Sequence, residues 1–253
     1  LTEVRKNGTL PYLRADGKTQ VTVEYVDNKP VRVTTIVVSS QHSADVSLEQ
    51  LREDIIENVI KTTVPAEFMD EDTVFYVNPT GRFVIGGSKA DCGVTGRKLA
   101  CDTYGGIARI GGGALSGKDP SKVDRSAAYM ARKIAVDLVR AGYCDKCEIQ
   151  IAYAIGKARP VSVVAETFGT AKVCPECIDR YIKANYDLTP QGIIKALHLL
   201  DVDYNLVSSG GHFGKDYLPW EMDDDELLDE IYGTKNVDRD YAEWLNKRFS
   251  EKK

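Results

Sequence analysis

Two strand–turn–strand–helix segments constrain the fold of this 253-residue chain more than any other feature. In the first, Gln20–Tyr25 alternates, Asn28–Pro30 suits a turn, and Val31–Ser39 returns as a second strand. The second segment begins about 127 residues later with Cys147–Ala154 and returns through Val161–Phe168. This offset is longer than a solenoid period and favours two related α/β units. Coincidence is the alternative, because the layout is common.

Each hairpin is followed by a predicted helix and a further short strand. The first helix covers about Ser47–Ile60, and the strand after it Val74–Val77. The second helix covers about Cys174–Asn185, and its strand Tyr204–Val207. The predicted buried stripe of the first helix is Leu48, Leu51, Ile55, Ile56 and Val59. The sequence thus predicts the fold class α/β, as a two-layer α+β protein with helices against sheets.

A glycine-rich stretch, Gly86–Gly117, separates the segments and leads to a strong amphipathic helix. We expect Asp124 to cap this helix and Gly142 to end it. Basic residues reach the helix N-terminus, where phosphate is favoured, so the stretch predicts a polyphosphate site. For any one lysine alone, solubilising surface charge is the better interpretation. The basic residues in loop-like stretches are Lys18, Arg97, Lys98, Lys118, Lys122 and Arg125. The predicted buried stripe is Ala127, Met130, Ala131, Ile134, Ala135 and Leu138.

Gly112–Asp119 nearly matches the P-loop pattern of two spaced glycines followed by Lys and Ser or Thr. Asp119 stands where the magnesium-binding hydroxyl belongs. Tyr104–Ile110 lacks the pattern of a buried strand, and Pro120 delays the helix. We therefore reject a P-loop NTPase and keep a phosphate-binding loop.

Composition and charge exclude other classes of protein. A net charge of −5, with its acidic excess in residues 222–253, argues against a nucleic-acid binder. No run approaches the ~18 apolar residues of a membrane helix, and no signal-peptide pattern is present. The first residues, Leu1–Lys6, have the pattern of the end of a helix, and Asn7 and Gly8 are typical of a helix stop. We therefore expect an N-terminal portion to be missing.

Gly111–Ser126 (GGGALSGKDPSKVDRS) closely resembles the signature of S-adenosylmethionine synthetases. The resemblance extends from residue 1 to about 221, and several long motifs in the family's order argue against chance. These motifs are Arg5–Pro11, Leu13–Val21, Gly81–Gly87, Asp91–Lys98, Asp102–Gly106, Tyr153–Gly156 and Gly211–Gly214.

The resemblance implies a methionine adenosyltransferase. Methionine sulfur attacks C5′ of ATP and expels triphosphate, which is cleaved to diphosphate and phosphate. The leaving group carries about four negative charges, so basic residues and metal ions suit the chemistry. The implied catalytic residues are Lys18, Arg97, Lys98, Lys118 and Lys122. The implied ATP-binding residues are Asp16, Gly17, Lys18, Arg82, Phe83, Asp91, Arg97, Lys98, Ala114 and Lys118. The implied methionine-binding residues are Asp91, Lys122 and Ile155.

The implied cofactors are Mg²⁺, two per site with Asp124 as a ligand, and K⁺. Each role has a structural alternative when the residue is taken alone. Asp124 as a helix cap needs no metal, and Phe83 suits a core. Arg97 and Lys98 suit a solvated pair. Only their joint occurrence in the family's motifs favours the functional interpretation.

The family has three related units, of which we expect two here. Residues 1–84 would be the central unit, 85–221 the C-terminal unit with the phosphate-binding loop, and 222–253 an acidic helical tail. The family's first unit carries a His-Pro-Asp segment, an acidic potassium ligand and a mobile loop, and none of these occurs in this sequence. We expect His42 and His212 to be structural and His198 to lie in the core on an apolar helix. An incomplete fragment or partner subunit that binds only ATP or polyphosphate is therefore the alternative to an enzyme.

The family also implies a cytoplasmic homodimer or homotetramer. Its subunits would pair through flat sheet faces and build active sites between them, with no nucleic-acid or membrane partner.

Two Cys-x-x-Cys pairs leave a third interpretation open. Cys144 with Cys147, and Cys174 with Cys177, resemble a zinc site, although the 26 residues between the pairs exceed the usual ~15–20. The predicted hairpin would bring Cys147 opposite the region of Ala171. Buried or surface thiols are favoured over zinc, and a disulfide is least favoured in a reducing cytosol. A zinc-stabilised module that binds nucleic acid or protein is the corresponding function. Cys92 lies near the implied potassium site or is simply a small buried residue.

Overall fold

The computed structural model describes residues 1–223 and divides into two compact units, Leu1–Gly93 and the chain from Val94 onward. The acidic tail, predicted to be helical, lies outside the described residues from 224 on. The elements of the first unit are α1 (Thr2–Lys6), β1 (Leu13–Val26), β2 (Lys29–His42), α2 (Leu48–Ile55), α3 (Lys61–Thr63) and β3 (Val74–Val77). Those of the second are α4 (Leu99–Asp102), α5 (Val123–Arg140), β4 (Glu148–Ala152), β5 (Ser162–Glu166), α6 (Pro175–Asn185) and α7 (Pro190–Ala196).

The first unit is built on a three-stranded sheet in the order β1-β2-β3. The β1–β2 hairpin turns at Asp27 and Asn28, which both have positive φ, one residue earlier than the predicted Asn28–Pro30 turn. Two such residues form the primed turn that matches strand twist, so the strands extend to the turn itself. The predicted strand Val74–Val77 is confirmed and pairs in parallel with β2.

The two faces of this sheet differ in exposure. Val33, Ile36 and Val38 are buried in the first unit's core. The opposite face carries Val74 and Tyr76, which are 43% and 48% exposed. In the strand register this outer face also holds Val37, Thr35, Thr22, Gln20 and Lys18.

The helix over the sheet changes its pitch midway. Ser47 caps α2 by accepting the Gln50 N–H at 3.1 Å, as the predicted start at Ser47 requires. A π-helical segment, Ile56–Ile60, then follows α2. Its wider turn adds about one residue and rotates the buried face, so Ile60 is buried and Val59 only partly so. The predicted stripe is therefore confirmed at Leu51 and Ile55, and its other members are partly buried and pack against the core. Ile60 is a buried residue that the prediction missed.

The second unit is organised around α5. Ala127, Met130, Ile134 and Leu138 of the predicted stripe are buried, and Gly142 follows the helix end with positive φ. The buried surface is wider than predicted, because Arg125, Ser126, Tyr129 and Lys133 are also enclosed. Lys133 is held by Asp137 at 2.7 Å, which gives its buried charge a partner.

The β4–β5 hairpin and two helices complete this core. β4 and β5 are antiparallel, with Ile149 opposite Ala165. α6 begins after its cap Cys174 and buries Ile178 and Ile182. An apolar helix was predicted around His198 without bounds, and α7 is that helix. It begins after Thr189, whose hydroxyl accepts the Gly192 N–H.

Two predictions for this region are wrong. Tyr204–Val207 is a 3₁₀ turn and not a strand, because the Asp203 carboxylate accepts the Asn205 N–H and closes a tight local turn. His198 is not on a helix: α7 ends at Ala196, and His198 adopts φ of 47° in the following turn, half-buried. Among residues 1–223, no helix combines the length and the apolarity needed to cross a membrane.

Candidate functional site

The predicted phosphate-binding loop in the second unit is packed so closely that two glycines are required. A Cβ on Gly113 would lie 2.2 Å from Cγ of Asp124, and one on Gly96 would lie 2.4 Å from Cβ of Ala114. Gly112 has no atom within 4 Å of the equivalent position. The glycines at 96 and 113 therefore bring the Thr95–Lys98 segment, the loop and the start of α5 together.

The loop delivers basic and acidic groups to the N-terminus of α5. Lys118 Nζ lies 2.6 Å from Oδ2 of Asp124, and Lys122 Nζ lies 3.4 Å from Oδ2 of Asp119. Hydrogen bonds from Ser121, followed by the Lys122 ammonium, lower the pKa of Asp119 to about 2. Residues 104–122 contain no strand, in agreement with the rejection of a P-loop.

The prediction that Asp124 caps α5 is wrong. The cap is Lys122, with no side-chain hydrogen bond to the helix, and Asp124 is the second helical residue. Because Lys118 draws the Asp124 carboxylate toward the loop, the side chain is half-exposed and faces the loop glycines.

A buried network fixes the loop from behind. The Arg125 guanidinium donates to the Lys118 carbonyl at 2.6 Å and to the Tyr129 hydroxyl at 3.0 Å, and it stacks on Tyr204. The Tyr129 hydroxyl lies 2.8 Å from Nδ1 of His212. Since Tyr129 accepts from Arg125, it donates to Nδ1, which leaves Nε2–H to donate to Ser116 Oγ at 2.9 Å. His212 is therefore structural, as predicted, and neutral in the folded state.

Sequence reasoning missed most of this network. Tyr129 is stacked on Trp220 at 3.7 Å, and the Trp220 indole donates to the His212 carbonyl at 2.8 Å. These residues are far apart in sequence, and only the buried Tyr at helical spacing from Arg125 offered a signal.

The remaining predicted site residues of this unit are solvent-exposed. Arg97 and Lys98 are exposed, and within residues 94–223 neither side chain has an ion-pair partner. Ile155 is fully exposed in the β4–β5 turn, next to Gly156 with φ of 81°. Exposed cations and an unpacked isoleucine are available to a ligand.

The first unit holds the other predicted site residues. Among them, the side chain of Asp16 is fixed by a hydrogen bond. Its carboxylate accepts the Gly87 N–H at 2.9 Å. Gln41 donates to the Val84 carbonyl at 3.1 Å, and a Cβ on Gly86 would clash with Gln41 and Phe83 at 2.8 Å. The Arg82–Gly87 segment is thus fixed beside β1.

The backbone of Phe83 is fixed by a hydrogen bond to a histidine. His42, at the end of β2, accepts the Phe83 N–H at Nε2 over 3.0 Å and bonds the Ser43 carbonyl through Nδ1 at 2.7 Å. Arg82 donates to the carbonyls of Ala44 and Val46. The structural role predicted for His42 is confirmed. Lys18 and Asp91 are exposed in this unit, and Gly17 lies close to the Ser39 carbonyl.

Asp124 is the carboxylate that the family resemblance assigns to Mg²⁺. Among residues 1–223, no three His, Cys, Asp or Glu side chains converge as a metal-binding group. Mg²⁺ commonly uses one or two carboxylates together with substrate phosphates and water. The half-exposed Asp124 carboxylate beside a predicted polyphosphate loop fits that mode of binding.

The cysteines contradict the expectation of reduced thiols. Cys174 and Cys177 form a disulfide, with Cα atoms 5.1 Å apart, because one turn of α6 brings the pair within disulfide range. Cys144 and Cys147 are free, and Cys92, predicted near the potassium site or buried, is exposed. Ala171 pairs with Cys144 and not with Cys147.

Two family models match consecutive parts of the chain. Residues 1–83 match the central domain of S-adenosylmethionine synthetase, and residues 85–222 match its C-terminal domain. The chain is 60% identical over 239 residues to an S-adenosylmethionine synthase of Clostridium tetani (strain Massachusetts / E88). That alignment covers 94% of this chain and 60% of the length of the relative. With both domain matches in sequence order, the chain belongs to the S-adenosylmethionine synthetase family.

Proposed function

We propose that the chain is the central and C-terminal part of a methionine adenosyltransferase. The reaction converts ATP, L-methionine and water to S-adenosylmethionine, phosphate and diphosphate, with triphosphate as the first leaving group. The observation that carries the proposal is the glycine-packed loop of the second unit, which presents Lys118 and Lys122 at the N-terminus of α5. Both the lysines and the helix N-terminus favour a polyanion.

Catalysis by these residues would be mainly electrostatic. As the C5′–O bond breaks, negative charge grows on the triphosphate, and cations fixed in advance stabilise that charge. In the second unit, Lys118 and Lys122 would act together with the exposed Arg97 and Lys98. In the first unit, Lys18 would also bind polyphosphate. Bound Mg²⁺ would neutralise phosphate charge, with Asp124 as a protein ligand, and K⁺ is the second cofactor we propose.

The other substrate contacts follow from the family's motifs. In the first unit, the nucleotide contacts would come from Asp16, Gly17, Arg82 and Phe83. In the second unit, Ala114 would be a nucleotide contact. Asp91, Lys122 and Ile155 would contact methionine. The full exposure of Ile155 supports this role, because an isoleucine gains free energy when a ligand covers it.

Self-association is part of the proposal. The outer face of the first unit's sheet exposes Val74 and Tyr76 beside Val37, an apolar patch typical of protein interfaces. We propose pairing of two copies through this face, as a homodimer or a homotetramer, in the cytoplasm.

The test incubates the full chain with ATP, methionine, Mg²⁺ and K⁺ and detects S-adenosylmethionine by mass spectrometry. Calorimetry with inorganic tripolyphosphate measures anion binding independently of turnover. Binding with turnover supports the enzyme. Binding without turnover supports the alternative, a partner subunit or fragment that binds ATP or polyphosphate only.

Two lysine variants show whether the anion binds at the loop. Lys118→Met should weaken tripolyphosphate binding roughly 10- to 100-fold, the usual effect of losing one charge-assisted hydrogen bond. Lys195→Met removes an exposed lysine of α7 that is not part of the loop, and this variant should bind like the parent chain. Equal affinities in the two variants would argue against the loop as the anion site.

A further inference from the structure

The second unit carries two Cys-x-x-Cys pairs in different chemical states. Cys174 and Cys177 are joined as a disulfide, whereas Cys144 and Cys147 are thiols. The start of the first pair lies beside the segment that precedes the second pair. Cys144 forms a β-bridge with Ala171, and the Lys172 N–H donates to the Tyr143 carbonyl at 2.8 Å. The pairs share a spacing and a region of the unit, so their different states require a local explanation.

Exposure is the first difference between the pairs. Cys174 and Cys177 are both exposed, so a reductant in solution has access to their sulfurs. Cys144 is fully buried and Cys147 is half-buried. Burial raises the pKa of the Cys144 thiol, and it raises that of Cys147 to about 12. The inner pair is therefore held as neutral thiols, which are poor nucleophiles.

Helix position is the second difference. Cys174 is the cap of the 11-residue helix α6, and its Sγ accepts the Cys177 N–H at 3.1 Å. Pro175 occupies the first turn, where its fixed φ holds this geometry. A sulfur that accepts a backbone N–H at a helix N-terminus is stabilised as a thiolate. Glu176, in the same turn, opposes this effect with its negative charge.

We propose that Cys174–Cys177 is a reversible redox-modification site that exchanges with a dithiol, small or protein-borne. A thiolate of the dithiol attacks Cys177 Sγ, and the S–S bond breaks with Cys174 leaving as a thiolate held by the Cys177 N–H. The second thiol of the reductant, as its thiolate, then attacks the mixed disulfide and releases Cys177. Two electrons and two protons pass to the cysteine pair, and the reductant becomes a cyclic disulfide.

Trypsin separates the cysteines in a way that permits a direct test on the full chain. Cys174 and Cys177 share the peptide 173–180, whereas Cys92, Cys101, Cys144 and Cys147 fall on four other peptides. The folded chain is equilibrated without oxygen at graded ratios of reduced to oxidised dithiothreitol, quenched with acid, unfolded, alkylated and digested. Mass spectrometry then counts the labels on each peptide.

The expected result is a single transition from no labels to two labels on peptide 173–180. The transition should fall at the same ratio whether the chain starts oxidised or reduced. The four other cysteines should be labelled at every ratio and serve as internal controls. The proposal is overturned if peptide 173–180 stays oxidised until the chain unfolds, if it stays reduced at every ratio, or if either cysteine is bonded elsewhere. Labelling needs no turnover, so the result does not depend on the proposed function.

Single-cysteine variants test which sulfur is the leaving group. In Cys177→Ser the remaining Cys174 should react with iodoacetamide at pH 7 about threefold faster than Cys177 does in Cys174→Ser. The reason is that the backbone N–H of residue 177 and the helix N-terminus stabilise a thiolate at position 174. Serine is a good helix cap, so Cys174→Ser should preserve α6, which circular dichroism checks. Equal or reversed rates would overturn the assignment of Cys174.

Discussion

At the scale of single residues, the shape of the phosphate-binding loop depends on the absence of a side chain at Gly113, as it does at Gly96. Gly113→Ala would place a methyl group 2.2 Å from Cγ of Asp124, so the loop or the start of α5 must shift. We expect tripolyphosphate affinity to fall at least tenfold by calorimetry, because the lysines of the loop would lose their alignment. Gly112→Ala is the matched control, because no atom lies within 4 Å of the added Cβ. This variant should bind tripolyphosphate normally.

The neutral state of His212 gives the chain an acid-sensitive stability. Burial, followed by the Arg125 charge, lowers the pKa of His212 below its usual 6.5. Above that pH neither the folded nor the unfolded state is protonated at this ring, so it has no effect on stability. As the pH falls below 6.5, the unfolded chain gains the proton first, and the free energy of unfolding decreases by about 1.4 kcal/mol for each unit of the pKa difference.

Urea unfolding between pH 7.5 and pH 5 measures this effect. His212→Gln should show a shallower loss of stability on the acid side than the parent chain, whatever its stability at neutral pH. Identical slopes would contradict a neutral buried His212.

The residues of the loop were predictable and the network behind it was not. Lys118, Lys122 and Asp124 stand within one short motif, so their proximity follows from local sequence. His212 and Tyr129 are 83 residues apart, and they meet only because the core of the second unit brings them together. Asp124 was misassigned for a related reason: its attraction to Lys118 competes with capping, and spacing alone cannot rank the two.

At the scale of elements, the π-helical segment determines which side chains support the first unit. Because its turn is wider, Ile60 is fully enclosed in the core, and Val59 packs against the core only partly buried. Ile60→Ala should therefore cost about 2–4 kcal/mol of unfolding free energy, and Val59→Ala about 1 kcal/mol or less, by urea unfolding. A regular α-helix would favour the opposite order, so equal or reversed costs would contradict the π-helical assignment.

Elements with one dominant local signal were predicted, and those with competing signals were not. The hairpins and α5 follow from periodicity over many residues. The Tyr204–Val207 segment has strand-forming residues, but the Asp203 carboxylate holds it in a turn. The pitch change after Ile55 has no sequence marker, because the same apolar residues satisfy either helix.

At the scale of the whole molecule, the exposed sheet face of the first unit predicts self-association. Tyr76→Glu would place a charge in the apolar patch, where an interface would bury it without a partner. We expect this variant to be smaller in solution than the parent chain by light scattering after size exclusion. Leu200→Glu adds the same charge at a 76% exposed position of the second unit and should leave the mass unchanged. A parent chain that is already monomeric would contradict the prediction.

The network behind the phosphate-binding loop also affects how fast a ligand can bind. The Lys118 carbonyl is held by a guanidinium that Tyr129 and Tyr204 in turn immobilise, so the loop keeps its shape before any anion arrives. Little conformational entropy remains to be lost when the ligand binds. Encounter with the anion should then limit the association rate, and the observed rate constant should rise linearly with ligand concentration without reaching a plateau.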